Sequence, residues 1–291
     1  MSTPTQRYAV VTAAHNEAAF IERTCLSMAA QQQRPSRWIV VDDASSDGTP
    51  RLLSAFAAAH PGWVEVVPVT RAPGRDFRHK VNAFNLGLAR AQLAGFDFIG
   101  NLDADIELPA DYYATMLRHF ASDPALGIAG GVVHSCIDGA YVDQKIAPDS
   151  VAGAVQLFRR ECFESIGGYR PLPRGGIDAA AEIQARHAGW SVRNYPEIAV
   201  LEHRRTASAA GTPLKARLRE GRRLYSLGYA FSFFTARCVR RALEQPPLLG
   251  SATAMLGYMA AALQREPHAL PREVVTYLRG EQRRKLTRLW R

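Results

Sequence analysis

Strand-like and helix-like segments alternate through the first hundred residues, and this alternation narrows the possible folds sharply. Tyr8–Ala13 is a short β-branched run. Glu17–Ala30 carries apolar residues at Phe20, Ile21, Cys25 and Met28, a helical spacing. Trp38–Val41 reads as a second strand, with Asp47-Gly48-Thr49 turning into a helix that Thr49 caps and Pro50 begins. Val64–Val69, Val81–Leu93 and Phe96–Asn101 continue as strand, helix and strand. A βαβαβαβ order predicts an α/β fold with a mostly parallel twisted sheet flanked by helices on both faces. Ligands of such sheets bind beyond the carboxyl ends of the strands. The polar residues expected there are His15, Asn16, Glu17, Asp42, Asp43, Asp103 and Asp105.

After about Pro109 the pattern loosens. The expected elements are a helix over 111–120, strands over 127–133 and 151–158, and a helix over 160–165 closed by Gly167-Gly168. A Pro/Gly loop, Pro171–Gly176, leads to a helix over 179–188 and short strands at 191–194 and 198–201. Beyond Arg205 the chain reads as a helical extension. One helix is expected over 224–236, and an uncharged one over 248–263 with small residues at Gly250, Ala254 and Gly257.

Composition is that of a globular protein, with 47% hydrophobic and 22% charged residues. Four scattered cysteines form no CxxC pair and no zinc spacing, which fits a reduced compartment. The polar N-terminus does not read as a signal peptide. The net charge of +9 is divided unevenly. Residues 1–203 hold 18 Lys/Arg against 22 Asp/Glu, a net −4, whereas 204–291 hold 18 against 5, a net +13. A basic tail meets nucleic acid or anionic lipid; apolar helices inside this one favour lipid, and no nucleic acid is expected. Three readings stay open for those helices: a docked pair, a segment lying in the membrane interface, or a true span. About sixteen residues fall short of the roughly twenty a span needs.

Asp103-Ala104-Asp105 follows the fourth strand. Two carboxylates placed there offer hard oxygen donors suited to Mg²⁺ or Mn²⁺, ions that keep waters and bridge to diphosphate oxygens. Asp42 and Asp43 end the second strand, where they can accept from a base N–H and a ribose hydroxyl. Arg75, Arg78 and Lys80 lie in or just after a basic loop, and bidentate arginine suits phosphate. The site after the first strand, Thr12-Ala13-Ala14-His15-Asn16-Glu17, lacks the glycines that a sugar nucleotidyltransferase or a dinucleotide dehydrogenase would want.

Val40-Val41-Asp42-Asp43-Ala44-Ser45-Ser46-Asp47-Gly48-Thr49, with Asn101-Leu102-Asp103-Ala104-Asp105 further on, resembles the family 2 glycosyltransferases of GT-A fold. His15-Asn16-Glu17 and Lys80 through Asn85-Leu86-Gly87-Leu88 resemble two more motifs of that family. The similarity covers roughly residues 7–205. It implies residues 1–105 as the nucleotide-sugar half and 106–205 as the acceptor half of one domain, followed by a basic helical tail over 206–291. It also implies an inverting, metal-dependent transferase using a UDP- or GDP-linked donor and a hydroxyl acceptor. His15, Glu17, Asp42, Asp43, Arg75, Arg78, Lys80 and Asp103 would meet the donor; Asp103, Asp105 and His203 would hold the metal. The family's general base is the Asp of a Glu-Asp pair. Here Ile177 stands where that Glu is expected, leaving Asp178 as the base and Glu182 as its competitor. The basic apolar tail suggests a lipid-linked or polysaccharide acceptor and a cytoplasmic protein held at the inner face of the membrane. A non-catalytic scaffold of the same fold is the alternative.

Overall fold

The computed structural model describes residues 6–70, 77–137, 139–204 and 212–289. The chain forms two compact units. The first holds everything up to Pro171 together with Ile177–Arg205; the second holds Leu172–Gly176 and the C-terminal helices.

In the first unit, β1 (Tyr8–Ala14), α1 (Ile21–Ala29), β2 (Arg37–Asp43), α2 (Thr49–Ala59), β3 (Val64–Val69), α3 (Phe77–Ala91) and β4 (Phe98–Asn101) follow the expected alternation. β3, β2, β1 and β4 lie side by side, all parallel. Trp38 and Val40 of β2 enter the main core, and Ile39 and Val41 pack on Ala83 and Ala91 of α3 across the sheet. That alternation is why β2 carries apolar residues on both faces. Gly87 of α3 sits where a Cβ would meet Val11 Cγ1 at 2.5 Å and Val41 Cγ2 at 3.2 Å, so its absent side chain lets the helix lie close on the sheet.

The later elements are β5 (Ile106–Glu107), α4 (Tyr112–Ser122), β6 (Leu126–Ile137), β7 (Ala140–Asp143), β8 (Leu157–Arg159), α5 (Arg160–Ser165), α6 (Ile177–His187) and β9 (Ser191–Glu202). They extend the sheet in the order β4-β8-β6-β9-β5, with β7 on β6. β6 and β9 pair in parallel; β8, β7 and β5 pair antiparallel to their neighbours. Three expectations change here. The strand foreseen over 151–158 shrinks to β8, because 151–156 is an irregular loop bonded to side chains. The two strands foreseen in 191–201 are one, carried through a register irregularity opposite Gly131 and Val132. The helix foreseen from Glu17 begins at Ile21, since Glu17 ties its backbone to Thr49 instead.

The second unit contains α7 (Pro213–Ser226), α8 (Phe231–Arg240), α9 (Leu249–Leu263) and α10 (Arg272–Leu289). α7 and α9 cross at small residues: a Cβ on Gly221 would lie 1.9 Å from the Ala254 carbonyl oxygen, and one on Gly257 would lie 2.1 Å from that of Leu218. The single helix foreseen over 224–236 is broken at Gly228, whose φ of +83° ends α7 and whose missing side chain admits Val275. Among the described residues no helix is long and apolar enough to cross a membrane.

Candidate active site

The first unit's polar cluster gathers where β1, β2 and β4 end. The turns after β1 and β2 are zipped together. Thr49 Oγ1 accepts from the Glu17 N–H at 2.8 Å and donates to Asp47 Oδ1 at 2.6 Å. Asp47 Oδ2 accepts from the Ala18 N–H at 3.1 Å, and Asn16 Oδ1 accepts from the Ser46 N–H at 2.8 Å. Burial acts against the charge of Asp47, but these donors outweigh it and hold its carboxyl below the ordinary range. The Ser45 hydroxyl accepts from the Asn16 N–H, and Asn16 and Ala44 take positive φ values of 55° and 57°. Thr49 therefore acts as a clasp between two turns rather than as the helix cap expected of it.

Asp42 and Asp43 are both buried. Asp42 Oδ1 accepts from the Ser45 N–H at 3.2 Å, so part of its role is to shape the turn. His15 is exposed and its Nδ1 lies 2.7 Å from the Asp43 carbonyl oxygen. Arg75 lies outside the described residues. Arg78 lies in the first turn of α3, two residues before Lys80.

The Asp103-Ala104-Asp105 turn is pinned at each residue. The Asp103 N–H donates to the Ala154 carbonyl at 2.9 Å, the Ala104 carbonyl accepts from Thr24 Oγ1 at 2.8 Å, and the Asp105 carbonyl accepts from the His203 N–H at 3.0 Å. Ala104 is buried, leaving the two flanking carboxylates to face the cluster. Lys80 Nζ holds both oxygens of Asp103 at 2.6 and 2.7 Å. Burial lowers the pKa of Lys80, but Asp103, with Asp105 and Asp178 further off, more than offsets this and keeps the ammonium above its ordinary range. Arg204 donates to Glu17 and lies 3.7 Å from Asp105 Oδ2. Burial first, then the fields of Asp103, Glu17 and Glu202, push the Asp105 carboxyl up to about 7. Glu17 is raised by burial, with Arg204 opposing.

This donor set fits a hard divalent cation. Asp103 and Asp105 would supply oxygen ligands from a turn whose backbone is already fixed. Asp105 is held in a surplus of negative charge that a cation would relieve. His203 does not join them as expected. Its Nε2 lies 2.8 Å from Glu107 Oε2, and its Nδ1 lies 2.7 Å from Tyr141 Oη and 3.0 Å from Arg23 Nη1. Only its backbone reaches the pair. Among the described residues no three His, Cys, Asp or Glu side chains form a cage, so the remaining ligands would come from water and diphosphate.

Asp178 lies in the first turn of α6, partly exposed, and packs on Gly153, where an added Cβ would come within 3.0 Å of its Oδ2. The same loop is fastened to the aspartate turn by Asn101, whose amide donates to the Gly153 carbonyl. Glu182, one helical turn further on the same face of α6, meets the same loop deeper in. It is buried, and it accepts from the Val151 N–H at 2.7 Å, Ser150 Oγ at 2.8 Å and Gln156 Nε2 at 3.2 Å. Burial pushes it up to about 7, with the Val151 bond opposing. Glu182 thus holds the loop that Asp178 leans on. Arg204, Thr24 and Glu107 were not foreseen; only Arg204 had a signal, its place directly after His203.

Comparison with known proteins gives the family and the fold. Residues 9–172 match the family model described as glycosyl transferase family 2. A poly-beta-1,6-N-acetyl-D-glucosamine synthase of Staphylococcus aureus (strain COL) is 30% identical over 122 residues, 41% of this chain and 26% of that protein. The Staphylococcus epidermidis synthase of that name is 27% identical over 174 residues, 53% of this chain and 40% of that one. The chain thus spans well under half the length of these relatives. Among solved structures, a mannosyltransferase from Pyrobaculum calidifontis in complex with GDP-Man and Mn²⁺ superposes with a TM-score of 0.59 at 21% identity, covering 99% of this chain and 84% of that one. S. aureus TarS 1–349 in complex with UDP-GlcNAc superposes at 0.56 and 15%, covering 76% and 66%. These structures share the GT-A fold with this chain, and with the family match over more than half its length, the chain belongs to glycosyl transferase family 2.

Proposed function

We propose that the protein transfers a sugar from a UDP- or GDP-linked donor to a hydroxyl acceptor with inversion at the anomeric carbon. Asp178 serves as the base, and Asp103 and Asp105 hold Mg²⁺ or Mn²⁺. The observation that carries the reading is the convergence of three carboxylates on one pair of turns: Asp103 and Asp105 past β4, and Asp178 across the Gly153 loop fastened to them. The donors named for the similar solved structures, GDP-Man and UDP-GlcNAc, support a nucleotide sugar. The synthase relatives support a polysaccharide acceptor.

The chemistry follows from these positions. A neutral alcohol is a poor nucleophile, and Asp178 takes its proton as the oxygen attacks C1, which contributes about 10²–10⁴-fold. The C1–oxygen bond to the diphosphate breaks on the opposite face, and the electron pair leaves with the nucleoside diphosphate. A bound divalent ion would supply charge neutralisation on that leaving group. Lys80 brings a fixed positive charge to the same place, and Arg204 brings a second beside Glu17. Asp43, Asp42, His15 and Glu17 would line the nucleotide end, and Arg78, with Arg75 outside the described residues, would join Lys80 in binding the phosphates. The basic apolar tail supports contact with a membrane surface, where a lipid-linked acceptor would be met.

Calorimetric titration of UDP- and GDP-sugars with and without Mn²⁺ tests the donor, with Asp105→Asn as control. One sugar nucleotide should bind only with Mn²⁺, and Asp105→Asn should lose that dependence. Binding of none of them, with no hydrolysis, would replace the enzyme by the scaffold alternative.

A further inference from the structure

α9 has two faces of opposite character. Gly250, Ala254, Gly257 and Ala261 are buried, and the close approach to α7 occurs on this side. Leu249, Leu256, Met259 and Leu263 recur at intervals of seven, three and four, which places them on one stripe. All four are exposed, Leu263 to 80% and Leu256 to 65%. Ala252, also exposed, falls between them. Phe231 and Val239 of α8, and Leu243 and Leu248 in the turn before α9, are exposed as well, Val239 to 71% and Leu243 to 85%. Scattered apolar side chains on a surface are ordinary, but a continuous stripe on an uncharged helix calls for a partner.

Charge identifies that partner. Residues 204–291 carry a net +13. Arg240 directly follows Val239, and Arg265 lies two residues beyond Leu263; both are exposed. A second copy of the chain would bring two strongly positive segments together, which self-repulsion opposes. An anionic bilayer answers both features, with hydrocarbon for the leucines and phosphates for the arginines. Fifteen residues of helix are about 22 Å long against a hydrocarbon core of about 30 Å, so α9 has the length to lie on a bilayer and not to span it.

We infer that the outer face of α9, with Leu249, Leu256, Met259 and Leu263 and the neighbouring Arg240 and Arg265, docks the protein on an anionic membrane surface. This deepens the membrane part of the reading above and is independent of the donor chemistry. The test is flotation of the full chain with phosphatidylcholine vesicles, with and without phosphatidylglycerol. The protein should float with phosphatidylglycerol and far less without it, and added salt should weaken the binding. Leu256→Ser with Leu263→Ser should lower partitioning about a hundredfold, at about tenfold per leucine. Arg240→Gln with Arg265→Gln should lower it about thirtyfold on the anionic vesicles alone. Helicity by circular dichroism should not change, because the substituted side chains already face solvent. Absence of flotation on anionic vesicles would overturn the inference, as would a double-serine variant that floats like the wild type. A dimer in sedimentation velocity that dissolves on Leu256→Ser would assign the face to a second copy instead. Sugar-nucleotide binding measured without vesicles keeps a failure here distinct from a failure of the donor reading.

Discussion

The Lys80 ammonium grips both carboxylate oxygens of Asp103, at 2.6 and 2.7 Å, so the first aspartate of the turn and the lysine of α3 form one unit. In the proposed reaction this pair would face the charge that develops on the leaving group. Replacing Lys80 by Met should lower kcat/KM for transfer about 10²–10³-fold, the usual cost of removing one preorganised charge partner in an active site. Steady-state kinetics at fixed Mn²⁺ measure this. An unchanged kcat/KM would remove Lys80 from the machinery.

Asp178→Asn preserves the shape of the α6 N-terminus while removing the proposed proton acceptor. Turnover should fall by about 10²–10⁴-fold with donor affinity unchanged. Gly153→Ala should act through the same group, since the new methyl would sit 3.0 Å from Asp178 Oδ2. A partial loss of kcat with the donor KM preserved is expected there. Wild-type turnover in Asp178→Asn would sink the assignment of the base.

Glu182 gives the loop a pH signature. Its folded carboxyl is raised from 4.5 to about 7 by burial, so the folded state binds a proton more tightly than the unfolded chain. Stability is therefore greatest below the unfolded value and falls as pH climbs from about 4.5 to about 7, by at most about 3 kcal/mol. Glu182→Gln keeps an acceptor for the Val151 N–H and removes the titration. Denaturant unfolding at pH 5 and pH 8 should show the variant equal to wild type at the lower pH and more stable at the higher. An identical pH slope in both proteins would contradict this.

Gly87→Ala probes the helix–sheet contact behind the site. Its Cβ would press on Val11 and Val41, both β-branched and fully buried, so neither can yield easily. A destabilisation of about 1–3 kcal/mol is expected, read as a lowered thermal midpoint. A midpoint equal to wild type would mean that α3 moves away from the sheet at little cost.

The first hundred residues disclosed their arrangement through local signals. Each strand of β1, β2, β3 and β4 is a compact apolar run, each crossover is one helix, and a right-handed parallel connection leaves few alternatives. That order alone puts Asp42, Asp43, Asp103 and Asp105 at one edge of the sheet, and the motif around Asp47-Gly48-Thr49 points to the family. Only the tertiary structure decided what each of those carboxylates meets. Asp178 and Glu182 are one helical turn apart and chemically alike, yet one faces Gly153 and the other is closed in by Val151, Ser150 and Gln156. The ring of His203 turns to Glu107 and Tyr141, partners 96 and 62 residues away. The role of Arg204 depends on Glu17, 187 residues earlier. Composition showed that the tail is apolar and basic; packing decided that its small residues are used up against α7 and its leucines are left outside. Backbone periodicity is written in neighbouring residues, whereas the partner of a side chain is set by segments far apart in the chain that only folding brings together.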